Sequence, residues 1–72
     1  MDYEEWAKDW EQTAEQLKQI IVRNQKLLRY NDLSPSTREL ISAQIQQHRE
    51  LVRYCFRTAN ELRKRGKAHE IR

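Results

Sequence analysis

Asn31-Asp32-Leu33-Ser34-Pro35 is the one break in an otherwise continuous helical pattern, and its reading decides the fold. Proline disfavours helical geometry in the residue before it, so Ser34 does not continue a preceding helix. Ser34 can instead cap a second helix with Pro35 at the first position, where the missing N–H costs nothing. A competing start uses Ser36 as cap and Glu39 as its capping-box partner; Ser34 is favoured. Either way the connection is about four residues, which makes the flanking helices antiparallel neighbours.

On the N-terminal side Tyr3, Trp6, Trp10, Thr13, Leu17, Ile20, Asn24 and Leu27 recur at alternating spacings of three and four. On the C-terminal side Ile41, Ile45, His48, Val52, Cys55, Ala59 and Leu62 keep the same rhythm. Such spacing puts each set on one stripe of an α-helix. Asp2 is a good N-cap for the first helix, Glu5 completes a capping box, and Met1 and Trp6 take the places of a hydrophobic staple. The second helix runs to Arg65, with Arg63, Lys64 and Arg65 suiting its negative end and Gly66 expected as the left-handed residue just beyond. The expected fold is all-α, a single antiparallel two-helix hairpin. Helix 1 covers 3–31, the turn 32–34, helix 2 35–65, and a frayed tail 66–72.

The apolar surface is wider than one seam. Ala7, Ala14, Ile21 and Leu28 flank the first stripe; Leu40, Leu51 and Tyr54 form a second line on helix 2, with Phe56 on its other flank. A wide stripe belongs to a helix that packs on more than one neighbour. A chain of 72 residues with a single cysteine also has little core and no disulfide framework, and below about 70–80 residues one core rarely supplies more than a few kcal/mol. The expectation is a homodimer closing into a four-helix bundle, with Ile21, Leu28, Leu40, Leu51, Tyr54 and Phe56 at the interface.

Charge is unevenly spread. Residues 1–15 hold six acids against Lys8, a net −5, while residues 16–72 hold thirteen Lys or Arg against five acids, a net +8. In an antiparallel hairpin the acidic start of helix 1 lies beside the basic end of helix 2, which favours that pairing; exposed pairs each contribute little. The alternative use of the basic residues is an anionic partner. Arg49, Arg53, Arg57, Arg63, Lys64, Arg65 and Lys67 are the nucleic-acid candidates, since a basic helix face can track phosphates. Glu39, Glu50 and Glu61 interrupt that face.

Tyr3, Trp6 and Trp10 fall within eight residues. They read either as a cluster against Ala59 and Leu62 or as an anchor for a protein partner, because Trp and Tyr dominate interface hot spots. Asn24 and His48 sit in the stripes, where buried polar residues specify register; a pH-sensitive switch at His48 is the sharper alternative. Cys55 lies about 10.5 Å beyond His48 along the helix, too far for a thiolate–imidazolium pair, and reads as a small core residue.

No zinc-type spacing, phosphate-cradling glycine loop or nucleophile motif is present, so no catalytic residue, metal, cofactor or small-molecule substrate is expected. No run approaches the roughly 18 apolar residues of a membrane span. The acidic start is unlike a signal peptide, and a lone cysteine suits a reducing, cytoplasmic setting.

The run Glu50-Leu51-Val52-Arg53-Tyr54-Cys55-Phe56 is similar to part of the second helix of the Rop family of plasmid copy-control proteins. That resemblance implies a hairpin that dimerises into a four-helix bundle and binds RNA loops. Leu33-Ser34, Ile41-Ser42 and Ile45 resemble the turn and serine-containing signature of the sporulation aspartyl-phosphate phosphatases of bacilli. This chain departs from that family at the decisive position, Gln46, where the family carries an aspartate, and again at His48 and Arg49. The expected function is a non-catalytic, self-associating interaction or regulatory protein, of the kind found as accessory proteins in bacteria and their phages. The alternative is a nucleic-acid-binding hairpin using the basic face of helix 2.

Overall fold

The computed structural model describes residues 2–70, with side chains through residue 68; Met1, and with it the proposed staple, and the last two tail residues lie outside the described range. Two helices, α1 (Tyr3–Tyr30) and α2 (Pro35–Glu70), pack against each other in a rod of 58 × 14 × 14 Å. The connection is Asn31–Ser34.

Local chemistry explains the ends. The Glu5 N–H donates to Asp2 Oδ1 at 3.2 Å, so Asp2 caps α1 in an extended conformation. Ser34 caps α2: its Oγ accepts from the Thr37 N–H at 3.3 Å and donates to Thr37 Oγ1 at 2.9 Å. Its carbonyl accepts from the Arg38 N–H at 3.0 Å, closing the first turn. The Ser34 start therefore prevails over the Ser36 start. The last carbonyls of α1, which helix geometry leaves without partners, are met by side chains. Asn31 Nδ2 donates to the Leu27 carbonyl at 3.2 Å, and the Arg38 guanidinium reaches back to the carbonyls of Leu28 and Asn31 at 3.1 and 3.3 Å. Arg38 thus clasps the turn from the far helix.

Helix 2 follows the expected stripe. Ile45, Cys55, Ala59 and Leu62 are buried, and Ile41, His48 and Val52 are half-buried. Helix 1 does not follow its expected stripe. Ala7, Ala14 and Ile21 are buried, with Leu28 half-buried on the same line, whereas Trp6, Ile20 and Leu27 remain 43%, 37% and 40% exposed. The two candidate stripes share Tyr3, Trp10, Leu17 and Asn24, and differ in which seven-residue line completes the seam. Hydrophobicity favours the line of Trp6, Ile20 and Leu27, but close approach favours the line that begins with two alanines. Interiors pack at near-crystalline density, and the small residues at Ala7, Ala14 and Ala59 let Tyr3 and Trp10 fold down over the seam.

The C-terminal boundary is also different from expectation. Gly66 takes no left-handed conformation, and α2 runs through it to Glu70, so residues 66–70 are helical rather than a tail. Gly66 falls four residues after Leu62, on the seam itself. A Cβ placed there would lie 3.2 Å from Tyr3 Cβ. The absent side chain makes room for a tyrosine, not for a turn.

In urea unfolding, Ser34→Ala should cost about 1 kcal/mol, the usual value of an N-cap. Arg38→Met should cost about 1–2 kcal/mol through the uncovered carbonyls. Ser36→Ala should change stability by less than about 0.5 kcal/mol; a larger loss at Ser36 than at Ser34 would reverse the cap assignment.

Candidate interaction surfaces

With the seam assigned, each helix has two flanks, and antiparallel pairing brings like flanks together along each edge of the rod. One edge is charged. The Arg63 guanidinium pairs with two glutamates one heptad apart on α1. Its Nε and Nη2 donate to the Glu4 carboxylate at 3.1 Å, and its Nη1 and Nη2 donate to Glu11 at 2.8 and 2.6 Å. Arg63 is 28% exposed and Glu11 37%. The Arg63 hydrogen bonds, and secondarily its charge, hold the Glu11 carboxyl below its ordinary value against a partial burial that pushes the other way. The same contacts make Arg63 hold its proton more tightly. Further along this edge Lys18 Nζ sits 4.9 Å above the Phe56 ring while pairing with Glu15 at 3.2 Å.

Beyond Lys18 the charged edge opens into a shallow groove of about 400 Å³, with Ile21, Val22 and Val52 as its floor and Lys18, Arg49 and Arg53 on its rims. Among the described residues, Arg49 and Arg53 have no carboxylate within ion-pair distance. The other edge is apolar. Among the described residues, seven of the eight large hydrophobics that stay substantially exposed belong to it: Trp6, Ile20, Leu27 and Tyr30 from α1, and Leu40, Leu51 and Tyr54 from α2. Only Val22 lies elsewhere among those eight. The Trp10 and Tyr54 rings meet edge-to-face along this edge, with centroids 5.7 Å apart and planes at 76°.

The residues singled out in the sequence are redistributed accordingly. Of the six named for an oligomer interface, Leu40, Leu51 and Tyr54 are exposed, at 61%, 49% and 54%. Ile21 and Leu28 instead lie in the seam within the chain, and Phe56 is half-buried under Lys18 on the charged edge. The aromatic trio divides: Tyr3 and Trp10 pack on Ala7, Ala59 and Leu62, while Trp6 faces outward. The basic set is not one face. Arg63 is committed to Glu4 and Glu11, and Lys64 pairs with Glu61 at 3.5 Å. Arg57 and Arg65 border a separate hollow with Tyr54, Thr58, Glu61 and Leu62, and Lys67 is exposed. A spacing of four drifts around a helix, so the arginines spread over more than one face.

Cys55 is a buried free thiol, 3% exposed. The His48 ring is half-buried, with Nδ1 2.6 Å from the Gln44 carbonyl one turn earlier. Both lie in the seam rather than at either exposed edge. Of the exposed line, Trp6 was offered by the sequence as a partner anchor, whereas Ile20 and Leu27 were missed as surface features because the sequence placed their line inside; Lys18 was not singled out.

No protein-family model, curated protein sequence or solved structure matches this chain.

The Glu11 contact gives a pH dependence with a definite sign. A carboxyl depressed in the folded state adds stability that is present above about pH 4.3, the unfolded glutamate value, and is lost as the pH falls through the lower folded value. Denaturation midpoints should therefore fall as acid is added below about pH 4, and Glu11→Gln should flatten that fall. Superimposable profiles for the two proteins would mean that the pairing contributes nothing.

Proposed function

We propose that this chain is a small non-catalytic interaction protein that works as a self-associating helical hairpin, two copies closing into a four-helix bundle in a cytoplasmic setting. The observation that carries this reading is the one-sided exposure of large hydrophobics. Scattered exposed apolar residues need no explanation, but a contiguous patch marks an interaction site. A pair of helices also leaves too little interior to stand well alone. Among the described residues, the fully buried positions are alanines and no large side chain is buried completely. Covering the apolar edge would supply the missing core, and the charged edge would stay outward to meet a regulatory partner.

A second reading, a hairpin that binds nucleic acid, is favoured by one observation: the unpaired guanidinium groups of Arg49 and Arg53 beside Lys18. It needs fewer of the basic residues than the sequence suggested, since Arg63 and Lys64 are engaged within the chain.

Sedimentation equilibrium across a concentration series should give a dimer whose dissociation constant changes little between low and high salt, as burial of apolar surface requires. A well-folded monomer at every concentration would sink the self-association reading. In the same preparation, binding of a random single-stranded RNA should be weak, and any binding should weaken steeply with salt and vanish in Arg49→Glu with Arg53→Glu. Tight, salt-resistant binding that survives both substitutions would exclude this groove as its site.

A further inference from the structure

The apolar edge carries a pattern that selects both its occupant and the orientation of that occupant. We propose that it is covered by a second copy of this chain running end-to-end opposite, about a two-fold axis level with residues 16 and 17 of α1 and with 52 and 53 of α2. The pairing rests on the self-association reading above and makes it specific.

Three observations converge on that axis. The exposed line of α1 is Trp6, Thr13, Ile20, Leu27. Reversed about residues 16 and 17, it sets Trp6 on the second copy's Leu27 and Thr13 on the second copy's Ile20. The next line outward on α1 is Asp9, Gln16, Arg23, all exposed. Reversal about residue 16, half a residue from the first centre, places Asp9 opposite the second copy's Arg23, and Gln16 opposite itself. On α2 the exposed pair Leu51 and Tyr54 is centred between residues 52 and 53, so reversal sets Leu51 on the second copy's Tyr54. These centres belong to one axis only if they lie at one height in the hairpin, and they do. Tyr3 lies against Gly66, and counting inward from that contact brings residues 16 and 17 level with 53 and 52. Two helices that pack in this way are self-complementary, as a two-fold interface requires.

The same-end arrangement is poorer. It would set Ile20 on the second copy's Leu51 and Tyr30 on its Leu40, but it would also set Trp6 near Arg65, Tyr54 near Gln16 and Asp9 against Glu61, and leave Arg23 facing Gln47. The opposite-end arrangement leaves Leu40 near the second copy's Arg65, but it sets Trp6 on Leu27 and Leu51 on Tyr54, gives Arg23 a carboxylate and removes the contact between Asp9 and Glu61. Because of the symmetry each ion pair occurs twice, so a single substitution acts twice.

Charge exchange and cross-linking test the pairing. Asp9→Arg and Arg23→Asp should each weaken the dimer about tenfold, and the double exchange should restore it to within about threefold. In a Cys55→Ala background, Gln16→Cys should form a disulfide-linked dimer under mild oxidation. Asp9→Cys should not, because its two copies would stand about 21 Å apart along the axis, and a disulfide needs Cα atoms within about 7 Å. Circular dichroism establishes that each variant is helical. A chain carrying both Asp9→Cys and Glu61→Cys that forms a linked dimer would overturn the opposite-end pairing in favour of the same-end one, which lays α1 on the second copy's α2 and sets Asp9 beside its Glu61. A dimer that cross-links at neither position, or that ignores the charge exchange, overturns the choice of face and axis while leaving self-association standing. A wild-type chain that remains monomeric overturns self-association and this pairing together.

Discussion

Everything in this hairpin depends on how closely two helices can approach where Tyr3 and Trp10 cross Ala59 and Gly66. Large rings on α1 meet small residues on α2, and Ala7 and Ala14 let the backbones close in beside them. Dispersion contacts are individually tiny and fall off steeply with distance, so a gap of even a fraction of an ångström along this seam would forfeit much of the interior. The same choice has a cost in coverage. A seam of alanine and glycine buries little area for its length, and hydrophobic stabilisation scales with area removed from water, at about 25 cal/mol per Å². Close approach inside the hairpin and large hydrophobics left outside it are therefore two aspects of one packing solution.

Polar contacts then hold the two ends in register. At the turn, Arg38 on α2 covers the carbonyls that end α1. At the open end, Arg63 on α2 holds two glutamates on α1 that lie one heptad apart. A planar guanidinium presents several fixed donors, so it can serve two carboxylates where a lysine could offer only a point charge. Sliding one helix past the other by a turn would break both clasps. The two arginines thus act on alignment, which apolar stripes specify weakly because each heptad resembles the next.

The elements legible in the sequence were those set by strong local rules. Pro35 and Ser34 located the break, Asp2 located the start, and the alternation of three and four named the seam of α2 correctly. The seam of α1 was misread because two lines compete there, and the line richer in Trp, Ile and Leu was preferred. What decides between them is the size of the opposing residues on α2, which is a property of the pair and invisible in either helix alone. Gly66 was misread for a related reason. As local punctuation it signals an ending; in the pair it is a hollow under Tyr3. The clasp of Arg38 and the double pairing of Arg63 depend on register, so charge distribution could indicate only that acidic and basic ends meet. The basic residues of α2 looked like one surface because they were counted along the chain and not around the helix.

One consequence of the unbroken heptads concerns length. Each residue added within α1 would rotate everything beyond it by about 100°, swinging the exposed line into the seam and the alanines out. Only additions of whole heptads, made to both helices at matching heights, would keep Tyr3 over Gly66 and Arg63 beside Glu4. The rod is in this sense quantised. Its related forms should differ in length by seven residues per arm or not at all, and variation of other sizes should gather in the short turn.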